Sequence, residues 1–299
     1  MNLVTATDVV SAAAKIAPFI QQTPLLHLPG ERLWIKAENR QPTRSFKVRG
    51  ALNAVGRLAE QGAGHVIAQS SGNHAQAVAY AAGRLGLRVT VVLPDTAPSL
   101  KVDAARGLGA EVVVVPPALR EVTCTALADH LGAAVVRSDD FDTIAGHAGI
   151  GAEIAAELPG VATILVPVCN GGLLAGVAVA AKAANPAITV IGVEPALAAD
   201  GQASFRAGHR VTWPVEDTYR TVADGLRAPV LGALAWEHIR LHVDDMLTVT
   251  EDAIVAAMDL LSAKVGERAE PSGAVTTAAY LTHDLPPGPV AAVLSGGNI

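Results

Sequence analysis

Lys47 is one of six lysines in a chain of 299 residues, and it stands in "SFKVRGA" (45–51), where a turn passes into a helical pattern. A solvated lysine there is only a surface charge. A buried one has a lowered pKa and becomes a nucleophile able to form a Schiff base with an aldehyde. Three other short segments gather reactive or ligand-binding residue types: "SSGNHAQ" (70–76), "CNGGLLAG" (169–176) and "SGGN" (295–298). Where Gly171 and Gly172 open a helix, unpaired backbone N–H groups can hold a phosphate, although a glycine pair also serves as a plain tight turn. A nucleophilic amine with a phosphate cradle describes pyridoxal phosphate. From the residues alone that reading stands beside the surface lysine and the turn.

Each segment follows a short apolar run. "HVIAQ", "ATILVPV" and "VAAVL" precede the three loops, and "RLWIKAE", "RVTVVLP", "AEVVVVP", "AAVVRS" and "ITVIGVEP" complete the strand candidates. Helical patterns such as "SFKVRGALNAVGRLAEQ", "NHAQAVAYAAGRLG" and "SLKVDAARGLG" lie between them. Continuous apolar strands are buried on both faces, and their alternation with helices predicts an α/β fold of mostly parallel sheets flanked by helices. Ligands in such folds collect beyond the carboxyl ends of the strands, where the three loops stand. Polar residues in "DDFDTIAG" (139–146) mark a boundary, and the stretch from 201 to 247 is irregular.

Composition narrows the function classes. Half the residues (51%) are hydrophobic but only 3% are aromatic, so the core must be Ala, Val, Leu and Ile. A net charge of -6 without basic clusters argues against nucleic-acid binding. Cys124 and Cys169 are too few for a disulfide framework or zinc knuckle, which fits a reducing compartment. The N-terminus lacks the pattern of a signal peptide, and Lys182 and Pro186 break the most apolar later stretch, so a cytoplasmic protein without membrane association is expected. Neither "CNGGLLAG" nor "GLGAEV" (107–112) fits GxGxxG, and GxxxxGK[ST] is absent, which disfavours NAD and nucleoside triphosphates.

Eight segments occur in an order that closely resembles the serine/threonine dehydratase and serine racemase family, pyridoxal-phosphate enzymes of fold type II: "SFKVRGA", "SSGNHAQ", "PVCNGGLLAG", "GVEP", "TVADGLR", "TVTEDAI", "EPSGA" and "LSGGN". The likeness runs from about residue 10 to the C-terminus. It implies a tryptophan-synthase-β-like architecture with a large cofactor-binding domain from residues 1–64 and 144–299, a small domain from 65–143, and the active site between them. By resemblance Lys47 bonds pyridoxal phosphate and then removes the substrate's α-proton, with Phe46 beside the ring and Asn73 on its phenolic oxygen. Ser71 is the hydroxyl on the opposite face of the substrate, and Ser70, Gly72 and His74 join it in binding the substrate carboxylate. Cys169, Asn170, Gly171, Gly172 and Leu173 form the phosphate loop, and Ser295 faces the pyridine nitrogen. Glu194, the Ala198 carbonyl and Asp200 align with a divalent-cation site suited to Mg²⁺ or Ca²⁺.

Several residues depart from the family pattern. Cys169 and Asn170 stand where glycines are usual, and the Asn170 amide offers an added donor. Arg44 stands where many relatives carry glycine, either as a surface guanidinium or as a second cation near an acidic substrate. His147, Ala148 and Gly149 replace Gln-Gly-Thr. The expected activity is β-elimination from a β-hydroxy amino acid such as L-threonine or L-serine, giving a 2-oxo acid and ammonia. The alternatives are a serine or aspartate racemase, a 3-hydroxyaspartate dehydratase, or a cofactor-binding protein without catalysis. A homodimer is expected from the resemblance, and no regulatory domain after "SGGNI".

Overall fold

The computed structural model describes residues 2–70 and 72–299. In chain order the strands are β1 (Leu25–His27), β2 (Leu33–Ala37), β3 (His65–Gln69), β4 (Arg88–Pro94), β5 (Glu111–Val115), β6 (Ala134–Val135), β7 (Thr163–Pro167), β8 (Thr189–Pro195), β9 (Asp245–Val249) and β10 (Val290–Leu294). The first six helices are α1 (Ala6–Ile16), α2 (Lys47–Glu60), α3 (Asn73–Leu85), α4 (Ser99–Gly107), α5 (Arg120–Leu131) and α6 (Phe141–Glu157). They are followed by α7 (Gly172–Ala184), α8 (Asp200–Ala207), α9 (Val215–Thr218), α10 (Ala233–His242), α11 (Glu251–Leu260) and α12 (Pro271–Thr282). Among the described residues no helix is long and apolar enough to cross a membrane.

The apolar runs form two sheets. One is wholly parallel in the order β5-β4-β3-β6, and the other runs β1-β2-β10-β7-β8-β9 with only β1 antiparallel to its neighbour. All residues of β7 and β10 are buried, as strands covered by helices on both faces must be. β2 and β10 come from opposite ends of the chain yet pair in register, from Leu33 with Val290 to Ala37 with Leu294.

Helix α2 lies where the two cores meet. Val48, Ala51 and Val55 pack in one cluster with Val66 and Val91 of the four-stranded sheet and Val78 of α3. Its other face meets α6 almost backbone to backbone: a Cβ at Gly146 would fall 2.6 Å from the Arg49 carbonyl oxygen and 2.7 Å from the Gly50 Cα. Arg49 anchors the helix further. Its guanidinium donates to both oxygens of buried Glu38 (2.8 Å each) and to Glu153 of α6 (2.6 and 2.9 Å). Lys36 of β2 joins this network through Glu153 (2.8 Å) and Glu157 (3.1 Å). Removing one partner from such a buried set strands a charge, so the network holds α2 at one position.

The residues leading into α2 are tied to the end of β10. Ser45 bridges Gly296, the Phe46 N–H donates to the Ser295 carbonyl (3.0 Å), and the Gly297 N–H donates to the Arg44 carbonyl (2.9 Å). Two elements absent from the sequence reading are β1, only three residues long and incompletely buried, and β9, which begins at the end of the irregular stretch. β9 is an edge strand with a mixed burial pattern, which weakens the apolar signal that marks the central strands. The stretch from 201 to 247 also contains most of α8 and all of α9 and α10.

Candidate active site

The carboxyl ends of β3, β7 and β10 open into one cleft of about 650 Å³. Lys47 enters it as the first residue of α2, Ser70 and Asn73 line it from beyond β3, Cys169 and Asn170 from beyond β7, and Ser295 from beyond β10. Segments far apart in the chain thus reach a common space because parallel strands all deliver their carboxyl ends to the same edge.

The Lys47 amine forms no hydrogen bond or ion pair among the described residues; it stands over the Phe46 ring, with Nζ 4.7 Å from the centroid. The residue keeps some exposure because its side chain faces the open cleft, yet protein surrounds the amine on its other sides. This burial lowers its pKa, and Cys169, Asp139 and Glu270 oppose that shift through space without reversing it. A lysine so placed keeps more of its neutral, nucleophilic form than a solvated one does. Phe46 is itself buried and meets the His147 ring edge-to-face at 4.7 Å between centroids.

Opposing walls are built from two helix N-termini. α7 begins after Gly171, which has φ 89 and no side-chain cap, so the first-turn N–H groups from Gly172 onward have no intrahelical acceptor. A Cβ at Gly172 would meet the Ser138 carbonyl oxygen at 2.6 Å, and one at Gly171 would meet Ile239 Cδ1 at 2.8 Å. Both glycines are required for the loop to close. Cys169 takes φ 53, an αL conformation that a glycine adopts without strain. Asn170 Nδ2 donates to Ser138 Oγ at 2.7 Å, so this amide pins the loop to the neighbouring segment. Leu173 lines the cleft at the start of α7.

On the other wall, α3 begins at Asn73. The Gly72 N–H donates to Ser70 Oγ (2.9 Å), and a Cβ on Gly72 would fall 2.3 Å from Lys101 Cδ. His74 is buried, with Nε2 at 3.3 Å from the Val136 carbonyl; that carbonyl can only accept, so Nε2 carries the proton. Burial, with a smaller contribution from Lys47, pushes the His74 pKa down to about 4. Ser71 lies outside the described residues. Ser295 Oγ donates to the Ser272 carbonyl (3.2 Å), leaving its lone pairs available.

The cleft also contains a charged group that sequence reasoning missed. Lys101 of α4 reaches Asp224 at 2.6 Å and Glu270 at 3.4 Å. Burial favours the neutral amine of Lys101, but Glu270 and Asp224 outweigh it and raise its pKa. Glu270 accepts from Asn73 Nδ2, and Asn73 Oδ1 accepts from Asn298 Nδ2 (3.0 Å). The orientation of Asn73 is therefore set from both ends of its amide. "TVADGLR", "EPSGA" and "LSGGN" contained Asp224, Glu270 and Asn298, whereas Lys101 looked like any lysine in the first turn of a helix.

Glu194, Ala198 and Asp200 sit together between the end of β8 and the start of α8, beside the segment that follows β7: a Cβ on Gly201 would lie 2.7 Å from Glu194 Oε1 and 3.0 Å from Val168 Cγ1. Both carboxylates are buried. Glu194 accepts from the N–H groups of Gly201 (3.1 Å) and Gln202 (2.7 Å), while Asp200 Oδ2 has no partner among the described residues. Burial, then the neighbouring Asp200, raises the Glu194 pKa; burial pushes Asp200 up to about 7. Two buried acids facing only backbone dipoles and each other fit a hard cation. Among the described residues no third acidic, histidine or cysteine side chain joins them, so any further protein ligand must be a backbone or amide oxygen.

The family described as "Pyridoxal-phosphate dependent enzyme" matches residues 16–296. The serine racemase of Oryza sativa subsp. indica is 37% identical, with 96% of this chain and 89% of the racemase covered. The L-threo-3-hydroxyaspartate ammonia-lyase of Saccharomyces cerevisiae is 36% identical over 100% of this chain and 94% of its own. The crystal structure of the T.th. threonine deaminase superposes with a TM-score of 0.93 at 40% identity, covering 99% of both chains. The chain belongs to the pyridoxal-phosphate dependent enzymes. Its desolvated Lys47 amine, unpaired among the described residues, and the uncapped N-terminus of α7 in the same cleft fit that cofactor's aldehyde and phosphate.

Arg44, weighed from the sequence as a second cation near the substrate, is exposed and does not line the cleft. Its φ of 56 explains why glycine suits this place. Arg44→Gly is expected to raise the unfolding free energy by roughly 0.5–1 kcal/mol, the difference between relieved αL strain and the entropy of a glycine in the unfolded chain. Urea denaturation measures this, and a loss of stability would contradict it.

Proposed function

We infer that this enzyme is an ammonia-lyase that converts a β-hydroxy amino acid to a 2-oxo acid and ammonia. The observation that carries the reading is the pairing, in one cleft, of a desolvated Lys47 amine with two helix N-termini suited to two different anions. Pyridoxal phosphate, when bound, supplies an electron sink for the pair left on the substrate's α-carbon. The α7 N-terminus, with Gly171, Gly172 and Leu173, holds the phosphate, and Cys169 and Asn170 shape the loop.

Lys47 Nζ, whose pKa burial lowers, takes the α-proton. Ser70, Gly72 and His74 at the start of α3 bind the substrate carboxylate, and Asn73 presents its remaining N–H to the cofactor's phenolic oxygen. Ser295, a neutral hydroxyl, faces the pyridine nitrogen and supplies no carboxylate to keep it protonated. Ser71, assigned from the sequence, is the hydroxyl on the opposite substrate face. The Lys101 ion pairs with Asp224 and Glu270 tie α4 to the segments carrying those two residues on the cleft lining.

The likeness to the rice serine racemase, at 37% identity, favours a second reading in which Lys47 and Ser71 exchange a proton from opposite faces. The likeness to the yeast ammonia-lyase keeps 3-hydroxyaspartate among the candidate substrates. One panel separates these readings: 2-oxo acid production from serine, threonine and both 3-hydroxyaspartate diastereomers, with chiral analysis of serine and aspartate. Release of 2-oxo acid is expected from at least one β-hydroxy amino acid, falling by roughly 10³-fold or more in Lys47→Ala. Chiral inversion without 2-oxo acid would establish the racemase reading instead.

Glu194, the Ala198 carbonyl and Asp200 are proposed to hold Mg²⁺ or Ca²⁺. Linkage then predicts stabilisation by about 2.7 kcal/mol when the cation stands near 100 times its Kd. Thermal melting of the wild type with added Mg²⁺ or Ca²⁺ should show the gain, and Asp200→Asn should abolish it. An equal gain in the variant would place the cation elsewhere.

A further inference from the structure

Helix α2 starts without the usual device. Its N-cap is Phe46, in the αR conformation, with no side chain accepting from the first turn. The Arg49 N–H turns back to the Phe46 carbonyl at 3.0 Å, and the Gly50 N–H, for which that carbonyl would be the regular i−4 acceptor, makes no bond to it. It finds an acceptor on another helix: His147 of α6, whose Nδ1 lies 3.2 Å away.

A backbone N–H can only donate, so Nδ1 must be unprotonated and the ring proton sits on Nε2. The ring is fully buried, and burial, then the neighbouring Lys47, keeps it neutral. The space His147 fills is the space a side chain at position 50 would need, since a Cβ on Gly50 would fall 2.4 Å from His147 Cε1. The same imidazole packs in a T-shaped pair with Phe46. Thus one ring holds the residue immediately before Lys47 and caps the turn immediately after it.

We propose that His147 is a positioning residue: as a neutral acceptor for the Gly50 N–H and a wedge against Phe46, it fixes the first turn of α2 and thereby the place of the Lys47 amine. The proposal rests on Lys47 being the cofactor's anchor. It assigns His147 no contact with substrate or cofactor. A ring acting only as core filler would affect stability alone, whereas a positioning role requires that loss of the acceptor atom slow the reaction of Lys47 with an aldehyde.

Two variants of equal side-chain length isolate that atom. His147→Gln retains an oxygen that can accept from Gly50, and His147→Met does not. Cofactor-free protein of each is mixed with pyridoxal phosphate, and covalent capture is followed by its visible absorption band and by borohydride trapping. Capture by His147→Met should be slower by roughly tenfold, and His147→Gln should stay within about threefold of the wild type. Equal capture by the two variants, or equal impairment of both, would overturn the proposal. Should His147→Met fail to fold, hydrogen exchange at the Gly50 amide decides: protection in the wild type and in His147→Gln supports it, and rapid exchange in the wild type overturns it. Lys47→Ala is the control for the underlying assignment. Undiminished trapping in that variant would remove Lys47 as the anchor, while the Gly50 exchange result would still report on the cap.

Discussion

The site depends on a cation denied its usual compensation. Lys47 lies where burial penalises the charged amine, and the ion pairs that lysines normally form are absent from it among the described residues. The surrounding cations are treated differently. Arg49, two residues along, has Glu38 and Glu153; Lys36 has Glu153 and Glu157; Lys101 has Asp224 and Glu270. Acidic groups are therefore plentiful around α2, yet none is hydrogen-bonded to the one amine that must stay reactive. Desolvation and selective pairing together separate the chemical lysine from the structural cations.

Holding that amine in place requires rigidity from several directions, because a lone side chain without hydrogen bonds is free to move. The Arg49 network ties α2 to the end of β2 and to α6. The pairing of residues 44–46 with 295–297 ties its approach to β10, and the glycine contact at Gly146 removes slack between helices. Reactive groups placed on such supports keep their geometry at low entropic cost when substrate binds.

Much of this architecture was legible in the chain itself. "HVIAQ" and "RVTVVLP" coincide with β3 and β4, because strands covered on both faces leave unbroken apolar runs. The loops carrying Ser70, Asn73, Cys169 and Ser295 were identifiable because chemistry-bearing residues follow such runs directly. Edge elements were not legible: β1 is too short to show a period, and β9 alternates only weakly. Within the site, Lys101 and the role of His147 escaped for a different reason. Their meaning lies in partners far along the chain, Asp224 for one and Gly50 for the other, and no local pattern encodes those contacts. Arg44 read from the sequence as either a surface guanidinium or a second cation near the substrate, and the structure shows the first, an exposed residue with backbone strain.

The most direct test is to reduce the holoprotein with borohydride, digest it and locate the pyridoxyl group by mass spectrometry. A single modified lysine is expected, Lys47, on the peptide that contains "SFK", with Lys36 and Lys101 unmodified. A label on either of those two, or a fully loaded protein with Lys47 untouched, would contradict this expectation.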